Sequence, residues 1–183
     1  MDAYVYLQVQ PGKVPAVLLE LSTKPGVRQA AVVVGDWDIL ARVDGPDLSA
    51  IAGEVLSEVH QIEGVTRTLT APVVPADRIG VGGFAGLAPP AIVPDACYVQ
   101  VKAEAGTAAS IAERLAESPE VAGVAVLGGE HDLIVCVAEP WEQASGTIID
   151  AIHRLPGVVS TNTLVAIRYD EPEEERDQFS AWS

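Results

Sequence analysis

Basic residues are scarce in this chain of 183 amino acids. Eleven lysines and arginines stand against 26 aspartates and glutamates, which gives a formal net charge of −15. Nucleic-acid affinity comes largely from Lys and Arg at phosphates, so this balance argues against a direct nucleic-acid partner. The negative charge favours cationic or zwitterionic small molecules as ligands instead.

Long hydrophobic runs and cysteine pairs are also missing. No apolar run approaches the ~20 residues of a membrane helix, and the acidic start MDAYVYLQV does not resemble a signal peptide, so we expect no membrane partner. The only cysteines are Cys97 and Cys136, which we expect to be small buried hydrophobes rather than a disulfide framework. These features predict a cytoplasmic protein with reduced thiols.

Motifs for catalysis, metals and cofactors are nearly absent. The sequence contains no His-x-x-x-His, no Cys-x-x-Cys and no Gly-x-Ser-x-Gly, which are usual spacings for metal sites and for a nucleophile elbow. The stretch from Gly80 to Ala85 fits Gly-x-Gly-x-x-Ala, but Pro89 and Pro90 follow and forbid the helix that a dinucleotide site needs. We therefore predict no catalytic residue, no metal and no cofactor.

The chain does contain an internal repeat with an offset of about 94 residues. YVYLQVQ at Tyr4 aligns with YVQVKAE at Tyr98, and GDWDIL at Gly35 aligns with GEHDLI at Gly129. Two helical faces with i, i+3, i+4, i+7 spacing also align, namely Val14, Val17, Leu18 and Leu21 with Ala108, Ile111, Ala112 and Leu115. Because helices, strands and turns recur in the same order, we interpret the chain as one module used twice.

Each copy predicts the order β-α-β-β-α-β, the ferredoxin-like arrangement, with strand order 4-1-3-2 and both helices on one sheet face. The bare face carries apolar side chains, and a second copy covers it if the two sheets pack face to face. We therefore predict an α+β fold of tandem ferredoxin-like units, packed sheet to sheet as a pseudo-dimer like a dimeric α/β barrel. The expected boundaries are a first unit at 1–71, a Gly/Pro-rich linker at 72–95, a second unit at 96–169 and an acidic tail at 170–183.

The two units, each with a Gly-x-x-Asp turn between its second and third strands, resemble the effector-binding domain of the Lrp/AsnC transcription regulators. The resemblance covers residues 3–71 and 96–169 and implies a sensing and oligomerisation module for a small molecule, in this family an amino acid. The family places a helix-turn-helix domain ahead of this unit, whereas here the first strand begins at residue 3. We therefore expect no direct DNA binding, a homo-oligomer, and a full-length Lrp/AsnC relative as a further partner.

The resemblance also implies a ligand site around the two turns. The positions carried over from the family motif are Gly35, Asp38, Gly129 and Asp132, and the variable places between them hold Asp36, Trp37, Glu130 and His131. An aspartate can accept charge-assisted bonds from a ligand ammonium, and the backbone beside a glycine can admit a carboxylate. Because Gly-x-x-Asp is also a good hairpin turn by itself, the turns alone do not establish a ligand site.

Two other functions stay open at this point. Paired ferredoxin-like units also form small oxygenases and isomerases, and Asp38 with His131 and Asp132 would form an acid–base group if the two turns met in space. A purely structural interaction module would need no ligand. We expect a sensor rather than an enzyme, because no catalytic motif accompanies the fold.

Overall fold

The first repeat forms a four-stranded antiparallel sheet with helices on one face in the computed structural model, which describes residues 1–80 and 87–169. Its elements are β1 (Asp2–Val9), α1 (Val14–Ser22), β2 (Val27–Val34), β3 (Ile39–Asp44), α2 (Leu48–Glu54) and β4 (Val65–Pro72). The acidic tail and most of the Gly80 to Ala85 motif lie outside the described residues.

The second repeat has the same elements in the same order. They are β5 (Ala96–Ala103), α3 (Ala108–Ala116), β6 (Gly123–Val126), β7 (Leu133–Val137), α4 (Trp141–Thr147) and β8 (Val158–Ile167). The predicted β-α-β-β-α-β order and the strand order 4-1-3-2 are confirmed in both copies. None of the described helices is long and apolar enough to cross a membrane.

Even an uncommon local feature is present twice. α2 continues into a π-helix at Val55–Val59, and α4 continues into one at Ile148–Ile152. π-Helices are rare in proteins, so their recurrence at equivalent places supports the duplication. The histidine that follows each π-helix forms a hydrogen bond with a threonine of the closing strand, His60 with Thr68 and His153 with Thr161.

The two sheets are joined edge to edge as well as facing each other. β2 pairs antiparallel with β8, which gives one sheet of eight strands in the order β4-β1-β3-β2-β8-β5-β7-β6. At the opposite seam Val73 bridges Leu127, and the Val74 N–H donates to Val126 O at 2.8 Å. This second seam closes the sheet into a barrel, the pseudo-dimeric arrangement predicted from the sequence.

The directions of the strands place the pseudo-twofold axis. Four antiparallel pairings lead from β1 through β3, β2 and β8 to β5, so β1 and β5 point the same way. The axis therefore runs along the barrel, and equivalent residues of the two repeats lie at the same end. Both Gly-x-x-Asp turns surround one end, here called the upper end, and residues 87–93 cross the other, the lower end.

Apolar side chains form three cores. One fills the barrel interior with residues from both repeats, including Tyr4, Tyr6 and Tyr98, and the other two lie between each half-sheet and its own helices. Cys97 and Cys136 are both buried, and burial raises the pKa of each thiol to about 11. As expected, both cysteines are small buried hydrophobes.

Candidate functional site

Each Gly-x-x-Asp turn is held in place by its aspartate. The Asp38 carboxylate accepts a hydrogen bond from the Val9 N–H at 2.8 Å, and the Asp132 carboxylate accepts one from the Ala103 N–H at 2.8 Å. Both amides lie at the ends of β1 and β5, where a bulge shifts the strand register. These carboxylates therefore fasten each turn to the neighbouring strand, which is a structural role.

The two turn glycines have similar backbones but different surroundings. Gly35 has φ +148° and Gly129 has φ +139°, a region that L side chains rarely adopt. A Cβ at Gly35 would lie 2.8 Å from Leu164 Cδ2 and 3.0 Å from the Thr163 carbonyl oxygen, whereas a Cβ at Gly129 would meet nothing within 4 Å. Gly35 thus permits the close approach of β2 and β8, whereas a side chain at Gly129 would not contact the shorter second seam.

The two turns meet across one opening of about 350 Å³ at the upper end of the barrel. This opening, the upper mouth, is lined by Gln8, Asp36, Trp37, Arg67, Glu130, His131 and Asn162. Of the eight site residues predicted from the sequence, the lining includes Asp36, Trp37, Glu130 and His131. The other four, Gly35, Asp38, Gly129 and Asp132, are not in the lining and shape the turns instead.

Three residues of the mouth were missed by the sequence reasoning. Gln8, Arg67 and Asn162 lie on β1, β4 and β8, far along the chain from the turns. Each interrupts the repeat, since they align with Lys102, Ser160 and Leu69 respectively. A search for positions at which the two copies differ in charge or polarity would have found all three.

A tryptophan forms part of the wall of this mouth. Trp37 is 6% exposed, and its ring packs against Tyr6 with a centroid distance of 5.8 Å. The guanidinium carbon of Arg67 lies 5.1 Å from the centre of the Trp37 ring, a cation–π contact. No ion pair of Arg67 with a carboxylate occurs in the described part of the chain, so its charge remains available at the surface.

Unpaired polar atoms concentrate at and beneath this mouth. Among the described residues, four buried side-chain polar atoms have no hydrogen-bond partner, and three of them are Tyr6 Oη, Gln100 Nε2 and His131 Nδ1. Gln100 is fully buried, and its Oε1 accepts from Asn162 Nδ2 at 2.7 Å. Buried polar groups are nearly always paired in proteins, so these atoms are places where water or a polar ligand group completes the hydrogen bonding.

The Tyr6 hydroxyl remains neutral and therefore able to donate. Burial raises its pKa, and the nearby Gln100 amide only partly opposes that rise. The two groups are close, but they do not reach hydrogen-bond geometry with each other. Both Tyr6 Oη and Gln100 Nε2 consequently offer donors to the barrel interior.

Charges of both signs surround the mouth. Asp36 and Glu130 are exposed carboxylates on opposite turns, and Arg67 supplies a cation. Burial and the nearby Lys102 cation lower the pKa of His131, while Glu130, Asp132 and Asp36 oppose that change, so its ring is mainly neutral at pH 7. No cluster of three or more metal-ligating side chains occurs within residues 1–80 and 87–169. The arrangement is suited to a small ligand that carries both charges.

Comparison with known protein families and sequences gives two matches that bear on this site. The model of the Lrp/AsnC ligand binding domain matches the chain twice, at residues 2–75 and 96–173. The HTH-type transcriptional regulator FL11 of Pyrococcus horikoshii is 26% identical over 128 residues, which cover 67% of this chain and 76% of that protein. The two family-model matches include both turns of the upper end.

One solved structure shares the architecture of the whole chain. The siroheme decarboxylase NirDL has a TM-score of 0.64 at 14% identity, covering 100% of this chain and 79% of its own, and at that identity the likeness shows the fold alone. The protein TTHA0845 of Thermus thermophilus is 28% identical over 38% of this chain and 86% of its own, with a TM-score of 0.37.

Proposed function

We propose that this chain, which belongs to the Lrp/AsnC ligand-binding domain family, is a regulatory sensing module. It binds a small zwitterionic metabolite at the upper mouth. The observation that supports this proposal is the meeting of both family turns at one opening with charges of both signs. A free amino acid is the simplest ligand with that charge pattern.

The ligand groups and the side chains of the mouth can be matched by charge. Asp36 and Glu130 accept hydrogen bonds from the ligand ammonium, and the planar guanidinium of Arg67 binds its carboxylate. Trp37 packs against the apolar part of the ligand. Asp38 and Asp132, first expected to hold the ammonium, are already engaged by backbone amides, so we assign them to the turns.

The mouth is asymmetric, and we infer one ligand per chain. Arg67 aligns with Ser160, and Asn162 aligns with Leu69, so the second repeat lacks the cation and the first repeat lacks the amide. Around a pseudo-twofold axis, two equal sites would need these residues twice. These differences between the repeats therefore favour one composite site over two equivalent sites.

The first experiment is a thermal-shift screen with the twenty amino acids, followed by calorimetry with the amino acid that gives the largest shift. Loss of a charge-assisted bond in Arg67→Gln or Asp36→Asn should weaken binding roughly ten- to a hundredfold. The matched control is Arg28→Gln, because Arg28 pairs with Asp44 away from the mouth, and its affinity should equal that of the parent. The proposal fails if no amino acid shifts the melting temperature, or if Arg67→Gln binds as tightly as Arg28→Gln.

Catalysis is a second candidate because the two turns do meet, the condition for an acid–base group. His131 lies near Asp36 and Glu130, whereas the carboxylates of Asp38 and Asp132 are occupied by amides. We favour binding without turnover for that reason. Recovery of the amino acid unchanged after long incubation with the protein, measured by chromatography, is the expected result, and its conversion would favour the enzyme.

We propose that assembly is part of the same function. The helices that begin at Leu48 and Trp141 expose equivalent apolar side chains, since Leu56 is 60% exposed and Ile149 is 52% exposed. Large exposed apolar side chains at matching places on both repeats suit association with a second copy of this chain. Light scattering should show a smaller species for the double variant Leu56→Glu/Ile149→Glu than for the parent, and an unchanged mass would contradict this part.

A further inference from the structure

The lower end of the barrel holds one segment of the chain by its backbone. Residues 87–93, here called the strap, cross this end just before β5. Side chains of the barrel wall bind five backbone atoms of the strap. Three strap carbonyls accept hydrogen bonds, Pro89 O from Arg42 Nη1 (3.2 Å), Pro90 O from Tyr4 Oη (2.6 Å) and Ala91 O from Tyr98 Oη (2.7 Å). Two strap amides donate, the Ile92 N–H to Gln29 Oε1 (2.9 Å) and the Val93 N–H to Tyr98 Oη (2.7 Å).

The two tyrosines are equivalent residues of the two repeats. Tyr4 and Tyr98 lie at the same place on β1 and β5, and both are fully buried. Burial raises the pKa of both hydroxyls, so both stay protonated and available as donors. A pair of buried donors at one end of the barrel needs acceptors, and the strap carbonyls supply them.

The composition of the strap fits this contact. Pro89 and Pro90 have no N–H, so they bring two carbonyl acceptors to the barrel without adding donors that would need partners. Ile92, the residue after Ala91, is 5% exposed and packs in the barrel core. The wall therefore matches an extended segment with two prolines followed by one apolar anchor.

One wall position differs between the repeats in a way that serves the strap. Gly123 on β6 aligns with Gln29 on β2. A Cβ at Gly123 would lie 3.1 Å from Ala88 O and 3.2 Å from Pro90 Cα, so glycine gives the strap room. Gln29 instead accepts the Ile92 N–H. At this pair of equivalent positions the two copies therefore differ in role. Gly123 leaves room for the strap, and Gln29 forms a hydrogen bond with it.

We propose that the lower end of the barrel is a binding site for extended proline-rich peptide segments, and that the strap occupies it in cis. Ala88, Ala91 and Val93 are exposed, whereas Pro90 and Ile92 are buried, so one side of the strap lies at the surface and its exchange requires Ile92 to leave the barrel core. A segment of another protein with the pattern Pro-Pro-x-apolar competes for the same donors. This site is separate from the upper mouth and does not depend on the ligand proposed there.

The direct test supplies the strap in trans. Residues 87–93 are replaced by a Gly/Ser sequence of equal length, and a fluorescent peptide LAPPAIVP is titrated by anisotropy. We expect saturable binding, weakened about tenfold by Tyr4→Phe and by Ile92→Asp in the peptide. Tyr6→Phe is the matched control, because Tyr6 lies on the same face of β1 and does not bond the strap; its affinity should not change.

Hydrogen exchange on the intact chain decides the question if the replaced variant does not fold. The Val93 amide should exchange slowly in the parent and at least about tenfold faster in Tyr98→Phe. Excess unlabelled LAPPAIVP should also speed exchange at Val93, because it displaces the strap. Fast exchange at Val93 in the parent, no effect of excess peptide, or equal peptide affinity of the Tyr4→Phe and Tyr6→Phe variants would overturn the proposal.

Discussion

The two ends of the barrel use neighbouring positions on β1 and β5 in different ways. At the lower end, Tyr4 and Tyr98 both have their hydroxyls paired with the strap. Two residues further along each strand, Tyr6 and Gln100 carry polar atoms without partners in the described residues. All four side chains are buried, so burial does not distinguish the ends. The lower end is satisfied by the chain itself, whereas the upper end keeps two donors unpaired within the described residues, as the proposed ligand site requires.

The comparison is tested most strongly by removing the strap contacts. The double variant Tyr4→Phe/Tyr98→Phe leaves Pro90 O, Ala91 O and Val93 N–H without their partners, so we expect the free energy of unfolding to fall by roughly 2–5 kcal/mol. Urea denaturation measures this. Tyr6→Phe removes an unpaired hydroxyl and should change stability by less than about 0.5 kcal/mol; equal losses in both variants would erase the difference between the ends.

The next effect concerns the frame of the upper end. Gly35→Ala should lower the free energy of unfolding by about 2–4 kcal/mol, because strain at positive φ adds to the contact with Leu164. Gly129→Ala has the backbone strain alone and should cost about 1–2 kcal/mol. Thermal and urea unfolding of both variants check the order, which would be wrong if Gly129→Ala were the more damaging change.

A smaller effect separates turn residues from mouth residues. Asp38→Ala removes the acceptor of the Val9 N–H, and we expect a loss of about 1–2 kcal/mol in unfolding free energy. Asp36→Ala, at an exposed place two residues earlier, should leave stability within about 0.5 kcal/mol of the parent. If Asp36→Ala destabilised the fold and Asp38→Ala did not, the roles assigned to these carboxylates would have to be exchanged.

The smallest expected effect is a pH dependence at the upper end. Burial lowers the pKa of His131 below its ordinary value of 6.5, so the unfolded chain binds more protons than the folded chain between those two values. Stability from this group is therefore present above pH 6.5 and is lost as pH falls through the lowered pKa. Melting temperatures from pH 5 to 8 should show a weaker acid slope in His131→Gln than in the parent, and identical slopes would exclude this contribution.

The sequence by itself determined the repeat, the element order and the location of both turns. Periodicity of apolar residues is a local property, since helical spacing in α1 and alternation in β1 depend only on which face meets a core. Gly35 and Gly129 were recognisable for a similar reason, because a backbone at positive φ selects glycine within a few residues of chain. Those signals were sufficient for the ferredoxin-like units and for four of the seven residues in the upper mouth.

Only the tertiary structure decided which residues share an end of the barrel. The seam between Val73 and Leu127 joins strand edges through backbone groups that nearly every residue type carries, so no pattern of side chains in the sequence predicts it. That closure and the β2–β8 seam bring Arg67 and Asn162 to the turns and fold residues 87–93, expected to be plain linker, onto Tyr4 and Tyr98. Contacts of this kind depend on distances between segments far apart in the chain, and local periodicity contains no information about those distances.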